Sequence, residues 1–482
     1  MKLSQLTKDL GINVGSLSDM EITGITSDTR QQMPEGFAFV CIKGLTFDGH
    51  SAAAEMAEKG AAVVFCEHDL GLENQVILDD TRAAYPYLCA AWFGHPEREL
   101  RMIGVTGTNG KTTITTIIKK TLMSFGRKSG LIGTCQNEIG DEILPTSRTT
   151  PEPFDLFALL RKMADAGCEF AVMEVSSQGL EQKRTGPCRY ELAVFTNLTQ
   201  DHLDVHGNME AYYQAKKLLF GICDKAVINI DDEAGRRYIS EISCPVKTFS
   251  AAESADFYAE SITLGAGGVK YVFCDGNAPE KHNVNFAMPG LFNVSNSLAA
   301  IACCEMLGFC VKDVIAKINS MTGVRGRAEV VPTGRDFTVI CDYAHTPDAV
   351  ENVLKAIKNG AKGKVKCLFG CGGNRDAKKR PLMAAAAADN ADFLIVTSDN
   401  PRNEDPDRII DDVLKGLEGK ATPYVRITDR REAIFWAVKN AEKDDVIVLA
   451  GKGHEDYQIL AGGKKIHFDE REVVAEALEL LD

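Results

Sequence analysis

The residues that most directly imply chemistry lie at 107 to 113, in "GTNGKTT". Gly107 and Gly110 let backbone N–H groups approach an anion with no Cβ in the way. Lys111 brings a point charge, the Thr112 hydroxyl can reach a metal ion, and Thr108, Asn109 and Thr113 complete the loop. The run "TTITTIIKKTLMSFG" that follows reads as a helix, and its N-terminal end adds positive potential at the same place. These residue types call for a bound polyphosphate. The spacing departs from the common G-x-x-x-x-G-K-[ST] pattern, because Val105 stands at its first glycine position. A tight turn that binds nothing would need neither the lysine nor the threonine pair.

Further candidates sit where apolar runs end. Glu174 closes "FAVMEV", where a carboxylate can hold Mg²⁺ or simply face water. His202, in "TQDHLD", fits either a metal ligand or a packing residue, and Lys216 and Lys217 in "MEAYYQAKKLLFGIC" read as an exposed helical pair. Arg327, in "VRGRAE", has a guanidinium able to hydrogen-bond phosphate in a fork.

These residues must be positioned by a chain of 482 residues, which at roughly 150 residues per domain suggests about three domains. With 45% hydrophobic and 25% charged residues it has an ordinary globular composition. The net charge of -14 argues against a nucleic-acid partner, whose binding rests on basic surface. Fifteen cysteines without a C-x-x-C pair suit a reducing cytoplasm rather than a disulfide framework or zinc site, and Cys367 and Cys371 read as core or loop thiols. No signal-peptide pattern opens the chain and no apolar run reaches the roughly 18 residues of a membrane span. A cytoplasmic protein is expected.

From about 20 to 98, "FAFVCI" and "AAVVFC" alternate with the helical "SAAAEMAEKG", and a boundary is placed near 99. From 100 to 330, "RMIGVT", "FAVMEV", "LAVFTNL" and "KAVINI" alternate with helical patterns, which argues for a mainly parallel sheet covered by helices. From 331 to 482, "FTVICDYAH", "KVKCLFGCGG", "DFLIVTSDNP" and "DVIVLAGKGH" are buried-type strands ending in Gly, Asp, Asn or His. The expected fold is therefore α/β in three domains: a small α/β domain at 1–99, a central P-loop-type domain at 100–330 and a Rossmann-like α/β domain at 331–482. In such sheets ligands gather at the carboxyl ends of the strands.

The variant loop "TGTNGKTT" resembles that of the Mur ligase family of ATP-dependent amide-forming enzymes. "MEVSSQGL" at 173 to 180, "FTNLTQDHLDVHG" at 195 to 207, "GLFNVSNSLAA" at 290 to 300, "GRAEVV" at 326 to 331 and "DYAHTPDA" at 342 to 349 resemble the family's further motifs, in family order. The resemblance implies ATP and Mg²⁺ as cofactors, with a carboxylate phosphorylated by ATP to an acyl phosphate that an amine then attacks. By resemblance Thr112, Glu174, His202 and Lys216 serve the metal, Lys216 as a carbamate formed with CO₂. Lys111, Glu174, His202 and Lys216 would carry the catalysis. Asn293 would stand on the adenine side, Arg327 on the phosphate side and Asp342 at the ribose, while His345 either faces the nucleotide or fixes its loop.

The same resemblance assigns substrates. Ser27 and Thr29 in "TSDTR", and Leu45, Thr46 and Phe47 in "KGLTFDGH", would hold a uridine diphosphate. Thr149, Thr150, Ser176, Gln182 and Arg184 would contact a muramyl-dipeptide. Arg148 and Gln178 depart from the Asn and His common at those positions, which bears on the fine contacts around the peptide and metal. Asp399, Asn400, Pro401 and Arg402 resemble the DNPR signature of the branch that adds meso-2,6-diaminopimelate to UDP-N-acetylmuramoyl-L-alanyl-D-glutamate in peptidoglycan precursor synthesis. An arginine fork suits the second carboxylate that L-lysine lacks. Arg375, Gly451 and Glu455 match further contacts, Glu455 suiting an ammonium. Alternatives are an L-lysine-adding muramyl ligase, a folylpolyglutamate synthase and, in a different class, a P-loop NTPase switch. A monomer whose three domains close around its small-molecule substrates is expected.

Overall fold

The computed structural model describes every residue except Leu45, His202 and Asp482, and the side chains of Leu203 and Asp204. The chain divides into two compact units, Met1–Thr248 with Ala302–Leu307, and Phe249–Ile301 with Gly308–Asp482.

In the first unit, strands Ile25–Thr26, Phe37–Val40, Ala61–Cys66 and Gln75–Ile77 form a four-stranded sheet, parallel throughout. A second sheet places Arg101–Thr106 between Tyr190–Phe195 and Phe170–Glu174, all parallel. Cys223–Asn229 and Ser129–Ile132 extend it in parallel on either side, and the hairpin Asn137–Ile139 with Glu142–Leu144 adds an antiparallel edge. Phe170–Glu174 and the inner five residues of Arg101–Thr106 are buried, as expected of central strands in a parallel sheet.

Helix Lys111–Ser124 is rich in β-branched residues and has weak intrinsic propensity. It is held by packing: Ile114, Ile117, Ile118 and Leu122 lie on one face and are buried, each contributing roughly 1.5–3 kcal/mol. Helix Met209–Lys217, which carries Lys216, is started by Asn208, whose side chain accepts from the Ala211 N–H at 2.9 Å.

In the second unit, Phe257–Gly265, Gly268–Asp275 and Lys281–Phe286 form an antiparallel meander. A six-stranded sheet follows, ordered Glu329–Val331, Thr338–Asp342, Val446–Ala450, Val365–Phe369, Phe393–Val396, Tyr424–Arg426, parallel except for its first strand. Alternate residues of these strands enter two separate cores. Ile340, Cys367 and Val448 pack on one face with helices Pro347–Lys358 and Lys379–Asn390, and Val339, Leu368 and Ile447 on the other with Arg430–Lys439 and Glu470–Glu479. This is the doubly wound arrangement expected. Cys367 sits in the core and Cys371 in the loop after it, both thiols pushed up to about 12 by burial. Among the described residues, no helix is long and apolar enough to cross a membrane.

Candidate functional site

The loop after Arg101–Thr106 closes around a lysine. Lys111 Nζ donates to the carbonyls of Gly107 and Thr108, both at 2.8 Å. Gly107 has φ 147°, and a Cβ there would come within 1.8 Å of Thr196 Oγ1. The neighbouring segment braces the loop: Thr108 N–H donates to the Asn197 carbonyl at 2.8 Å and Asn109 N–H to Asn197 Oδ1 at 2.9 Å. Gly110 then adopts φ 89° at the helix N-cap. Thr112 and Thr113 follow in the first turn, with their backbone N–H groups at the anion-binding end.

Lys216 is no exposed helical lysine. It is 1% exposed, donates from Nζ to the Gly107 carbonyl at 2.9 Å, and lies over the Tyr212 ring at 4.3 Å. Burial first, and the charge of Lys111 second, hold its pKa well below the ordinary lysine value, with Asp201 opposing. Tyr212 also meets Thr108 Oγ1 at 3.3 Å, a link that the aromatic pair "YY" did not signal. Lys217, by contrast, pairs with Glu241 at 2.7 Å.

Glu174 is paired in register with Val105 of the loop-bearing strand. Its buried carboxylate turns toward the other neighbour, where Thr134 donates to it from both N–H and Oγ1, each at 2.9 Å. Thr134 Oγ1 also meets Thr149 Oγ1 at 2.9 Å, so Thr134, which the sequence reading passed over, ties Glu174 to the "RTTPE" segment. Each Glu174 oxygen retains a lone pair. Its oxygens and the Thr112 hydroxyl are of the hard donor type that Mg²⁺ prefers, whereas the Lys216 amine would suit such an ion only as a carbamate. Among the described residues no three His, Cys, Asp or Glu side chains converge on a metal position. Such a sparse protein contribution is usual for Mg²⁺, which draws its remaining ligands from phosphates and water. His202 lies outside the described residues.

Thr150 Oγ1 donates to the Glu174 carbonyl at 3.0 Å and accepts from Ser176 N–H at 2.9 Å. Arg184 donates to the Thr150 carbonyl at 2.8 Å and, from its fork, to Gln182 Oε1 at 3.1 and 2.6 Å. Glu152 lies 3.1 Å from Arg184 and 3.3 Å from Arg148, so the departure at 148 is absorbed in a shared ion pair. The five expected peptide contacts are thus brought together. Gln178 lies in the short helix Ser177–Glu181 beside them.

Ser27 and Thr29 follow one strand of the small sheet, and Thr46 and Phe47 follow its parallel neighbour, so both loops leave the same edge. Ser27 hydrogen-bonds the buried Tyr85, Arg30 grips Asp28 at 2.9 and 2.8 Å around Thr29, and the Phe47 ring is half exposed. Leu45 lies outside the described residues. Lys183, beside Arg184, pairs with Asp80 at 2.5 Å at the start of helix Thr81–Trp92.

In the second unit, Asn293 is fully buried, its amide donating to the Pro289 carbonyl at 2.8 Å and accepting from Asn296 at 2.9 Å. Arg327 lies over the Tyr343 ring at 5.2 Å. The Asp342 carboxylate accepts from the N–H groups of Ala328 and Ala344 at 2.6 and 2.7 Å, and burial raises its pKa against the pull of Arg327. His345 Nδ1 lies 2.9 Å from the Tyr343 carbonyl, a contact within its own loop. His454 packs against Tyr343 at 4.7 Å, with burial and the charges of Arg327, Arg325 and Arg471 holding its pKa down at about 4.

Asp399, Asn400, Pro401, Arg402, Arg375, Gly451 and Glu455 meet at one edge, in the loops after Phe393–Val396, Val365–Phe369 and Val446–Ala450. Arg402 takes φ 52° and donates to the Gly373 carbonyl at 2.9 Å. Gly372 lies between Arg402 and Arg375: a Cβ there would come within 2.9 Å of the Arg402 guanidinium and 3.7 Å of Arg375 Cγ. Asn400 Nδ2 donates to Glu455 Oε2 at 3.0 Å, and a Cβ on Gly451 would meet Asp399 Oδ2 at 2.9 Å. Arg430, fully buried, braces the edge from below through Glu470 at 2.7 Å and the carbonyls of Ser398 and Ala450 at 3.2 and 2.9 Å. Neither Arg430 nor the buried Lys452 was marked by the sequence pattern.

Known proteins match the chain along its length. The Mur ligase family catalytic domain matches residues 21–91, the Mur ligase middle domain 105–304 and the Mur ligase glutamate ligase domain 326–453. The chain is 43% identical over 490 residues to the UDP-N-acetylmuramoyl-L-alanyl-D-glutamate--2,6-diaminopimelate ligase of Geobacillus kaustophilus, covering 99% of each. A solved structure of a ligase of that name aligns at 33% identity with a TM-score of 0.75, over 100% of this chain and 99% of the other. The MurF ligase of Thermotoga maritima in complex with ADP shares the fold, at 18% identity and a TM-score of 0.62, over 95% of this chain and 97% of that one.

Proposed function

We propose that this chain, which belongs to the Mur ligase family, joins meso-2,6-diaminopimelate to UDP-N-acetylmuramoyl-L-alanyl-D-glutamate while ATP becomes ADP and phosphate. The observation that carries the reading is the meeting of Arg375, Asp399, Asn400, Pro401, Arg402, Gly451 and Glu455 at one sheet edge. Two guanidiniums and two carboxylates there suit an amino acid whose far end is itself a zwitterion.

A carboxylate of the acceptor peptide attacks the γ-phosphorus of ATP, forming a C–O–P bond and releasing ADP. The amine then adds to the carbonyl carbon of this acyl phosphate. Collapse of the tetrahedral intermediate expels phosphate and leaves the amide, the proton lost by the amine passing to water. The backbone of Gly107 to Thr113 cradles the polyphosphate, and Lys111 leaves its internal carbonyls to meet phosphate oxygens. Asn293, Arg327 and Asp342 serve the adenine, phosphate and ribose. Thr149, Thr150, Ser176, Gln182 and Arg184 hold the peptide, and Ser27, Thr29, Leu45, Thr46 and Phe47 the uridine diphosphate.

Bound Mg²⁺ would neutralise phosphate charge as the two anions approach, with Thr112, Glu174, His202 and carbamylated Lys216 as its protein ligands. The depressed pKa of Lys216 supports the carbamate, since only a neutral amine forms the N–C bond with CO₂, releasing a proton. The working domains are 1–99 for the uridine nucleotide, 100–330 for ATP and 331–482 for the amino acid, in a cytoplasmic monomer. The route is tested with ¹⁸O in the acceptor carboxylate: one label per turnover must emerge in phosphate. Unlabelled phosphate alongside labelled amide would overturn the acyl-phosphate route.

A further inference from the structure

We propose that Lys452 is a positioning residue that sets the charge of the amino-acid pocket, and through it the preference for an amino acid bearing a second carboxylate. The inference rests on the function proposed above and deepens it.

Lys452 has no solvent exposure, yet its ammonium is matched by three acceptors: Tyr457 O at 2.8 Å, Asn400 Oδ1 at 3.1 Å and Glu455 Oε2 at 3.3 Å. These are as many acceptors as an ammonium has donors. Two of them belong to residues assigned to the amino acid, and the contacts fix both. Asn400 Oδ1 accepts from Lys452 and, at 2.9 Å, from Ile459 N–H, which turns its Nδ2 toward Glu455. Glu455 Oε2 receives both Asn400 and Lys452, leaving Oε1 without a hydrogen bond among the described residues. One carboxylate oxygen is anchored and the other is presented.

With Lys452 in place, the three cations Arg375, Arg402 and Lys452 outnumber the two carboxylates Asp399 and Glu455 by one and leave the edge cationic, which suits a distal carboxylate and ammonium bound together. Without Lys452 the edge gains one net negative charge, and a ligand ending in a bare ammonium is favoured relative to a zwitterionic end. Lys452 thus disfavours L-lysine without touching it.

The test measures kcat and KM of ligation for Lys452→Met and Lys452→Arg with meso-diaminopimelate and L-lysine. In Lys452→Met, KM for meso-diaminopimelate should rise by about tenfold or more, the scale of one charge-assisted hydrogen bond, with KM for ATP unchanged. The kcat/KM ratio of meso-diaminopimelate to L-lysine should fall by a similar factor. Adding Glu455→Gln to Lys452→Met should remove the gain for L-lysine, because the edge then regains its original net charge. A purely structural role would raise every KM together and leave the amino-acid ratio unmoved, which overturns the proposal. If Lys452→Met does not fold, Lys452→Arg decides: it keeps the charge and must keep the ratio, and a fallen ratio is equally contrary. Failure of the wild type to use meso-diaminopimelate at all would instead sink the proposed function.

Discussion

Replacing Arg402 with alanine isolates the contact to the second carboxylate. Its backbone sits at φ 52°, and alanine meets much the same left-handed strain as arginine, so the change removes the side chain without relaxing the loop. Nη1 is committed to the carbonyls of Gly373 at 2.9 Å and Asn400 at 3.5 Å, which stiffens the fork and leaves the Nε and Nη2 donors for a ligand. Two charge-assisted hydrogen bonds to a carboxylate, partly overlapping in effect, contribute about 3 kcal/mol, or roughly a hundredfold in kcat/KM. L-Lysine has no carboxylate there and should change by less than about threefold. The assay is continuous phosphate release for wild type and Arg402→Ala with each amino acid, at saturating ATP and acceptor. A parallel fall for both amino acids, or a fall of less than tenfold for meso-diaminopimelate, would refute the assignment of Arg402.

Gly107→Ala should cost about 2 kcal/mol or more in loop geometry, because its Cβ would strike Thr196 Oγ1 from a φ of 147°. The loss should appear as weaker binding of ADP in calorimetry, with binding of the amino acid unchanged. Lys216 carries a pH prediction: between its depressed folded pKa and the ordinary lysine value, the unfolded chain holds a proton the folded chain lacks, so stability rises with pH in that window. In CO₂-free buffer, wild type should gain stability relative to Lys216→Met as pH climbs from 7 towards about 10. Denaturation at several pH values reads the difference, and a constant offset would contradict it.

Much of this was legible because parallel strands bury both faces and therefore appear as unbroken apolar runs. "RMIGVT", "FAVMEV" and "DVIVLA" all became central strands, and each sends its candidate residues to the carboxyl edge. The meander at Phe257–Phe286 was missed because its strands are only partly buried and mix polar residues without a clean alternation. Residues that act through others left no pattern. Thr134 orients Glu174 from a neighbouring strand exit, and Lys452 is a lysine between two glycines whose burial only the fold creates. Lys216 illustrates the same limit, since helical spacing made it one of an exposed pair, whereas tertiary packing places it against the Gly107 carbonyl.

The most direct test of the central claim is phosphate release by the purified protein with ATP, Mg²⁺ and UDP-N-acetylmuramoyl-L-alanyl-D-glutamate, comparing meso-diaminopimelate, L-lysine and no amine. Sustained release is expected with meso-diaminopimelate, far slower release with L-lysine, and little beyond acyl-phosphate breakdown without an amine. Equal rates with both amino acids would contradict the pocket assignment, and full turnover with no amine would contradict ligation itself.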